Sequence, residues 1–157
     1  MESTMKNVFE GIDPLVRESQ ISVPYHWWAG ETASRFFVEL RDNKKIMGTR
    51  CEKCKKVYVP PRKTCPACFV DTTEWVECGP GGTVTSFTVV RKQQAALKQK
   101  APVIFATVKL DGADTAMLHK LDDVKPEDVK TGMKVEAHFA KKPDASMAAI
   151  AYFKPAR

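Results

Sequence analysis

The hydrophobic pattern of the chain changes period along its length. From residue 83 onward, apolar positions alternate in short β-rich runs bounded by turn residues, near 83–90 (TVTSFTVV), 103–110 (VIFATVKL), 115–120 (TAMLHK), 133–139 (MKVEAHF) and 147–153 (MAAIAYF). A period of two marks strands with one buried face. It is cleanest in 133–139, where Met133, Val135, Ala137 and Phe139 point one way and Lys134, Glu136 and His138 the other. Between the third and fourth runs, LDDVKPEDVKTG carries a proline able to start a helical turn and a glycine able to stop it. Five strands with a short helical element between the third and fourth predict an OB-fold barrel over residues 79–157, with another small barrel as the competing reading.

Upstream the period is helical. Residues 33–41, ASRFFVELR, place Ala33, Phe36, Phe37 and Leu40 on one face. Tyr25-His26-Trp27-Trp28 stands just before them. Either this aromatic helical segment covers the chain's own core, or Trp27, Trp28, Phe36 and Phe37 are anchors for a partner, within a tail and docking segment spanning residues 1–45.

Between the two periods lies a stretch with neither. RCEKCKKVYVPPRKTCPACFV, residues 50–70, holds four of the five cysteines. Cys51-x2-Cys54 and Cys65-x2-Cys68 form two knuckles, each able to aim two thiolates at one ion, and four sulfurs make a closed tetrahedral site. Zinc is the expected metal. Iron sites of the rubredoxin type usually have glycine after each knuckle, where Lys55 and Phe69 stand here. With no position left for water, the metal is expected to be structural. Pro60-Pro61-Arg62 suits the extended connector of a zinc ribbon, placed over residues 46–78. Cys78 has no partner at knuckle spacing and reads as a structural thiol. Gly79-Pro80-Gly81-Gly82 reads as a hinge into the barrel, since it lacks the lysine and helix of a phosphate-binding loop.

Composition adds the setting. The chain has 157 residues, 43% hydrophobic and 28% charged, with a formal net charge of +6. It contains no apolar run near the roughly 18 residues of a membrane span. Its first 30 residues lack the basic and apolar regions of a secretion signal, so a cytoplasmic location is expected, where paired cysteines more often hold metal than form disulfides. No Ser-His-Asp or H-E-x-x-H pattern is present, and His26, His119 and His138 are scattered, so the chain is not expected to be a catalyst on its own.

The order of these parts resembles a known family. An aromatic helical segment, a C-x2-C, P-P-R, C-P-x-C ribbon, a G-P-G-G-T-V entry to the first strand and V-K-P-E-D-V-K-T-G-M-K-V-E late in a five-strand barrel are similar to the zinc-ribbon and OB-fold accessory proteins that accompany thiolase-like enzymes. This family was long carried as a domain of unknown function. Cys51, Cys54, Pro61, Arg62, Cys65, Pro66 and Cys68 carry most of the likeness, with Gly132 and Val135 next. Phe69 departs from it, since many relatives have glycine there.

The resemblance implies a mainly β protein with an N-terminal helical segment, a rubredoxin-like four-cysteine ribbon and a C-terminal OB-fold. It implies a non-catalytic subunit that binds a thiolase-like catalytic subunit and helps shape its acyl-CoA site. The substrate of that complex would be a CoA thioester, such as an aromatic 3-oxoacyl-CoA. Arg91, Lys92, Lys98 and Lys100, in the loop between the first two barrel strands, are then candidates for the CoA phosphates or the partner, unless they are only a solvated surface. Single-stranded nucleic acid is the rival ligand; it would need exposed rings such as Phe87 and Phe105 beside that charge.

Overall fold

A computed structural model describes residues 11–13, 15–93 and 99–156. Helix α1 (Glu31–Val38) begins two residues earlier than its periodicity suggests, after Gly30 with a φ of 83°. It runs into a π-turn over Glu39–Asn43, which ends at Lys44 in the left-handed region. The apolar stripe does what its spacing requires. Phe36 and Leu40, one turn apart, are fully buried, while Phe37 is half-buried against the same core.

Three short strands follow: β1 (Ile46–Arg50), β2 (Val57–Tyr58) and β3 (Glu74–Cys78), in the antiparallel order β2-β1-β3. Then come β4 (Gly81–Val90), β5 (Val103–Leu110), β6 (Ala116–Leu121), β7 (Lys134–Phe139) and β8 (Ile150–Pro155), closed as a barrel in the order β4-β5-β6-β8-β7. Closure comes from β7 returning to β4, with Gly82 opposite Val135. The β6–β8 contact is parallel and brief, at Leu121 and Phe153, whereas every other pairing is antiparallel. This is the expected OB-fold, a small barrel that is only partly closed where β6 meets β8.

The alternation in the sequence maps onto inside and outside. Ile104, Ala106, Val108 and Leu110 of β5 are buried, as are Val135 and Ala137 of β7, while Lys134, Glu136 and His138 are exposed. Two local expectations change. The run 147–153 is not strand throughout: Met147–Ala149 is a 3-10 turn capped by Ser146, whose Oγ accepts from the Ala148 amide at 3.0 Å. The stretch after β6 forms only a turn at 126–128, with the Asp128 amide donating to the Lys125 carbonyl at 3.0 Å. The three residues between Lys125 and Val129 are too few to propagate a helix past its costly nucleus.

The ribbon and barrel share one core. Phe36, Leu40, Ile46, Val57, Val59 and Cys78 belong to the same buried cluster as Val84, Leu110 and Phe153. The outer edge of β2 is held by the loop before β6. Asp114 Oδ2 accepts from the Val57 amide at 2.8 Å and the Asp114 amide donates to the Val57 carbonyl at 2.9 Å. Thr115 Oγ1 accepts from the Val59 amide at 2.8 Å and donates to the Val59 carbonyl at 3.0 Å. The glycines expected to be a hinge are therefore not one. Gly81 and Gly82 open β4, and a Cβ on Gly82 would sit 2.7 Å from the Lys109 carbonyl oxygen, so glycine is needed there for close strand approach. Among the described residues, no helix is long and apolar enough to cross a membrane.

Candidate metal centre

Each cysteine pair sits on a tight loop of the ribbon. In the first, the Lys55 amide donates to the Cys51 carbonyl at 2.8 Å, and the Cys51 amide to the Lys56 carbonyl at 2.9 Å. In the second, the Phe69 amide donates to the Cys65 carbonyl at 2.9 Å, and the Cys65 amide to the Val70 carbonyl at 2.9 Å. The loops are thus two copies of one geometry. Both close through a residue in the left-handed region, Lys55 at φ 61° and Phe69 at φ 55°. The buried Thr49 hydroxyl holds the connector between them, donating to the Arg62 carbonyl at 2.9 Å and accepting from the Arg62 amide at 3.0 Å.

This arrangement brings Cys51, Cys54, Cys65 and Cys68 together, with their sulfurs all within 4.8 Å of one another. Cys54 and Cys65 sulfurs are 3.7 Å apart, far longer than the roughly 2.05 Å of a disulfide. It is close to the ~3.8 Å edge expected of a tetrahedron with metal–sulfur bonds of about 2.3 Å. All five cysteines are free thiols.

The environment of the sulfurs is uneven. Cys65 is held down to about 6, first by its hydrogen bond with the Tyr58 hydroxyl, against burial, and then by the Ala67 and Cys68 amides. The Lys56 amide is the main cause that lowers Cys54. Cys68 is pushed up to about 12 by burial and then by its hydrogen bonds with Cys54, Cys65 and Cys51. Four sulfurs this close cannot all ionise unless a cation sits among them, so the donor set fits a thiophilic dication. Tyr58 lies 3.3 Å from the Cys65 sulfur; it was not visible as a site residue because the contact depends on how β2 packs over the second knuckle.

The missing glycines do not separate zinc from iron. Lys55 and Phe69 adopt the backbone conformation that glycine would take, so the same amides face the sulfurs. Cys78 is buried in the shared core, 3.8 Å from the Val76 carbonyl, and burial raises its thiol. That is the structural thiol expected.

The other candidates are spread over the surface. Trp27 and Trp28 are 73% and 78% exposed, whereas Phe36 is 2% exposed and belongs to this chain's own core, which removes it from the set of free anchors. Arg91, Lys92 and Lys100 are exposed; Lys98 lies outside the described residues. Lys100 lines a groove at one end of the barrel together with Lys120 and Lys125, two lysines far from it in sequence, and neither Arg91 nor Lys92 lines that groove. Lys120 is paired with Asp122. Phe87 is exposed and Phe105 half-buried, on the adjacent strands β4 and β5.

Known proteins share this architecture. Residues 39–74 match the family described as the ChsH2 rubredoxin-like zinc ribbon domain, and residues 75–140 match the ChsH2 C-terminal OB-fold domain. A DUF35 domain-containing scaffold protein of Methanocaldococcus jannaschii is 32% identical over 126 residues, covering 77% of this chain and 89% of the relative. A protein of the same description from Pyrococcus furiosus is 31% identical over 103 residues, covering 66% and 74% of the two chains. Among solved structures, the Ltp2-ChsH2(DUF35) aldolase superposes with a TM-score of 0.63 at 24% identity, over 83% of this chain and all of that one (100%). A DUF35-family protein of unknown function from Sulfolobus solfataricus gives a TM-score of 0.63 at 26% identity, over 81% and 87%. With its zinc ribbon joined to an OB-fold barrel and this identity to the scaffold proteins, the chain belongs to the DUF35 family.

Proposed function

We propose that this chain is a non-catalytic accessory subunit that docks to a thiolase-like catalytic subunit in the cytoplasm and helps shape its acyl-CoA site, with a structural zinc ion held by Cys51, Cys54, Cys65 and Cys68. The observation that carries the reading is the segment before α1. Leu15, Val16, Ile21, Val23, Tyr25, Trp27 and Trp28 are all exposed, although residues of these types are those a chain of this size normally buries. Exposed apolar side chains gathered in one segment suit an interface. Relatives described as scaffold proteins support the same reading.

Within such a complex the partner supplies the nucleophile and base. This subunit would contribute placement: Lys100 and Lys125, beside the apolar wall of Val103 and Ile104, could receive the phosphate end of a CoA thioester and hold its reacting end toward the partner. The test is reconstitution. The purified chain and a thiolase-like subunit should coelute, and turnover of an acyl-CoA should depend on both. Separate elution, together with salt-sensitive retention of this chain on single-stranded nucleic acid, would replace this reading with the nucleic-acid one.

A further inference from the structure

Two unfavourable features meet at Phe69. Its ring is 83% exposed, and its backbone lies at φ 55°, in the left-handed region that disfavours bulky side chains. A ring left in water on a strained backbone adds little to this chain's own fold. Strain of this kind persists where the surrounding structure over-determines it, and it gathers at functional positions. Here the second knuckle supplies the constraint, through the Phe69 amide bonded to the Cys65 carbonyl at 2.9 Å.

The setting of the ring has a chemical character. Phe69 and its neighbour Val70 are the exposed large apolar side chains of the ribbon. The equivalent position of the facing knuckle is Lys55, and Lys53, Lys55 and Lys56 are all exposed there. Glu52, which accepts from the Thr73 hydroxyl at 3.0 Å, is the single carboxylate on that loop against the three lysines, so the loop keeps a net positive charge. Asp71, beyond the second knuckle, accepts from the Thr64 hydroxyl at 3.1 Å. The sulfur cluster therefore forms a rigid base that presents a phenyl group from one loop and a cationic cluster from the other.

We propose that Phe69 is a docking knob that enters an apolar pocket with an acidic rim on a protein partner, with Lys53, Lys55 and Lys56 facing that rim. The proposal rests on the scaffold reading above and adds to it a contact distinct from Trp27 and Trp28. A protein pocket suits an isolated ring. Single-stranded nucleic acid is bound by successive stacking rings along a cationic groove, and one ring buries too little to hold a chain on a bilayer.

Phe69→Gly in the full chain tests this, because glycine accepts φ 55° without strain. The variant should keep its zinc and unfold at the same or a higher temperature, yet bind the thiolase-like subunit on the order of thirtyfold more weakly. Lys55→Glu should also weaken binding, most at low salt. A lower unfolding temperature with loss of zinc would make Phe69 structural and overturn the proposal. So would unchanged partner binding by Phe69→Gly, or a loss seen only on equimolar phosphatidylserine/phosphatidylcholine vesicles or on oligo(dT). If the wild-type chain itself does not bind the thiolase-like subunit, the scaffold reading falls and the knob with it. Tight wild-type binding that Phe69→Gly leaves intact removes the knob alone.

Discussion

The Tyr58 hydroxyl lies 3.3 Å from the Cys65 sulfur, and both groups are buried. With a metal bound, the sulfur is a thiolate and the hydroxyl its donor, which stabilises the ligand in the form that binds. Tyr58→Phe removes that donor while keeping the ring. Metal affinity should fall by roughly ten- to a hundredfold in competition with a chromophoric chelator. The sign for protons follows. Tyr58 lowers the Cys65 thiol, so its loss lets that thiol rise and metal should be released at a higher pH on acidification. An unchanged affinity would mean that the hydroxyl only fills space.

Cys51→Ser and Cys65→Ser remove ligands that are themselves fully buried. Metal and ribbon structure should be lost together, because a loop pair this small has no other core. The loss should also reach the barrel, since Ile46, Val57 and Val59 of the ribbon belong to the barrel's core cluster. Elemental analysis and amide exchange at β2 follow the two events. A fully protected β2 in a metal-free variant, or iron in the wild-type protein, would contradict the structural zinc.

Asp114 and Thr115 lock the ribbon to the barrel, and their removal measures that lock. Thr115→Val keeps the shape but leaves the Val59 amide and carbonyl without their partner, which should cost about 1–3 kcal/mol in urea unfolding. Asp114→Ala should cost a similar amount through the Val57 amide, and Asp114→Asn, which keeps an acceptor oxygen, should recover most of it.

The sequence made some of this legible and hid the rest for identifiable reasons. The cysteine spacing was sufficient for the metal centre, because a knuckle is a local structure whose amides and sulfurs lie within a few residues of one another. The barrel strands were readable where one face is buried, as in Val135, Ala137 and their polar neighbours. The turn at Met147–Ala149 was hidden inside an apolar run, although Ser146 just before it is a typical cap. Gly81 and Gly82 looked like a hinge because glycine marks turns, and the close approach of β5 that requires it is a tertiary fact. Tyr58 on Cys65, Asp114 on Val57 and the meeting of Lys100 with Lys120 and Lys125 all depend on the fold.

The exposed tryptophans separate docking from folding. With side chains 73% and 78% exposed, Trp27→Ala and Trp28→Ala should leave the unfolding of the free chain unchanged. On the proposed function, Trp28→Ala should weaken association with the catalytic subunit by about 2 kcal/mol. A lost or lowered unfolding transition in the free chain would instead place these rings in its own core.

The basic residues divide into two groups that can be tested apart. Lys100 and Lys125 line one groove of the barrel, while Arg91 and Lys92 are exposed outside it. Contacts to CoA phosphates are remote from the reacting carbon and bind ground and transition states about equally. On the proposed function, exchanging Arg91, Lys92, Lys98 and Lys100 together for glutamine should therefore raise the complex's KM for acyl-CoA more than it lowers kcat. Exposed charge contacts are individually weak, so the rise should be roughly three- to tenfold and should be mimicked by added salt. If the groove is the phosphate site, Lys100→Gln with Lys125→Gln should reproduce the rise, and Arg91→Gln with Lys92→Gln should not. Acyl-CoA kinetics untouched in both pairs, with retention on single-stranded nucleic acid abolished, would take these residues away from CoA and give them to the nucleic-acid reading.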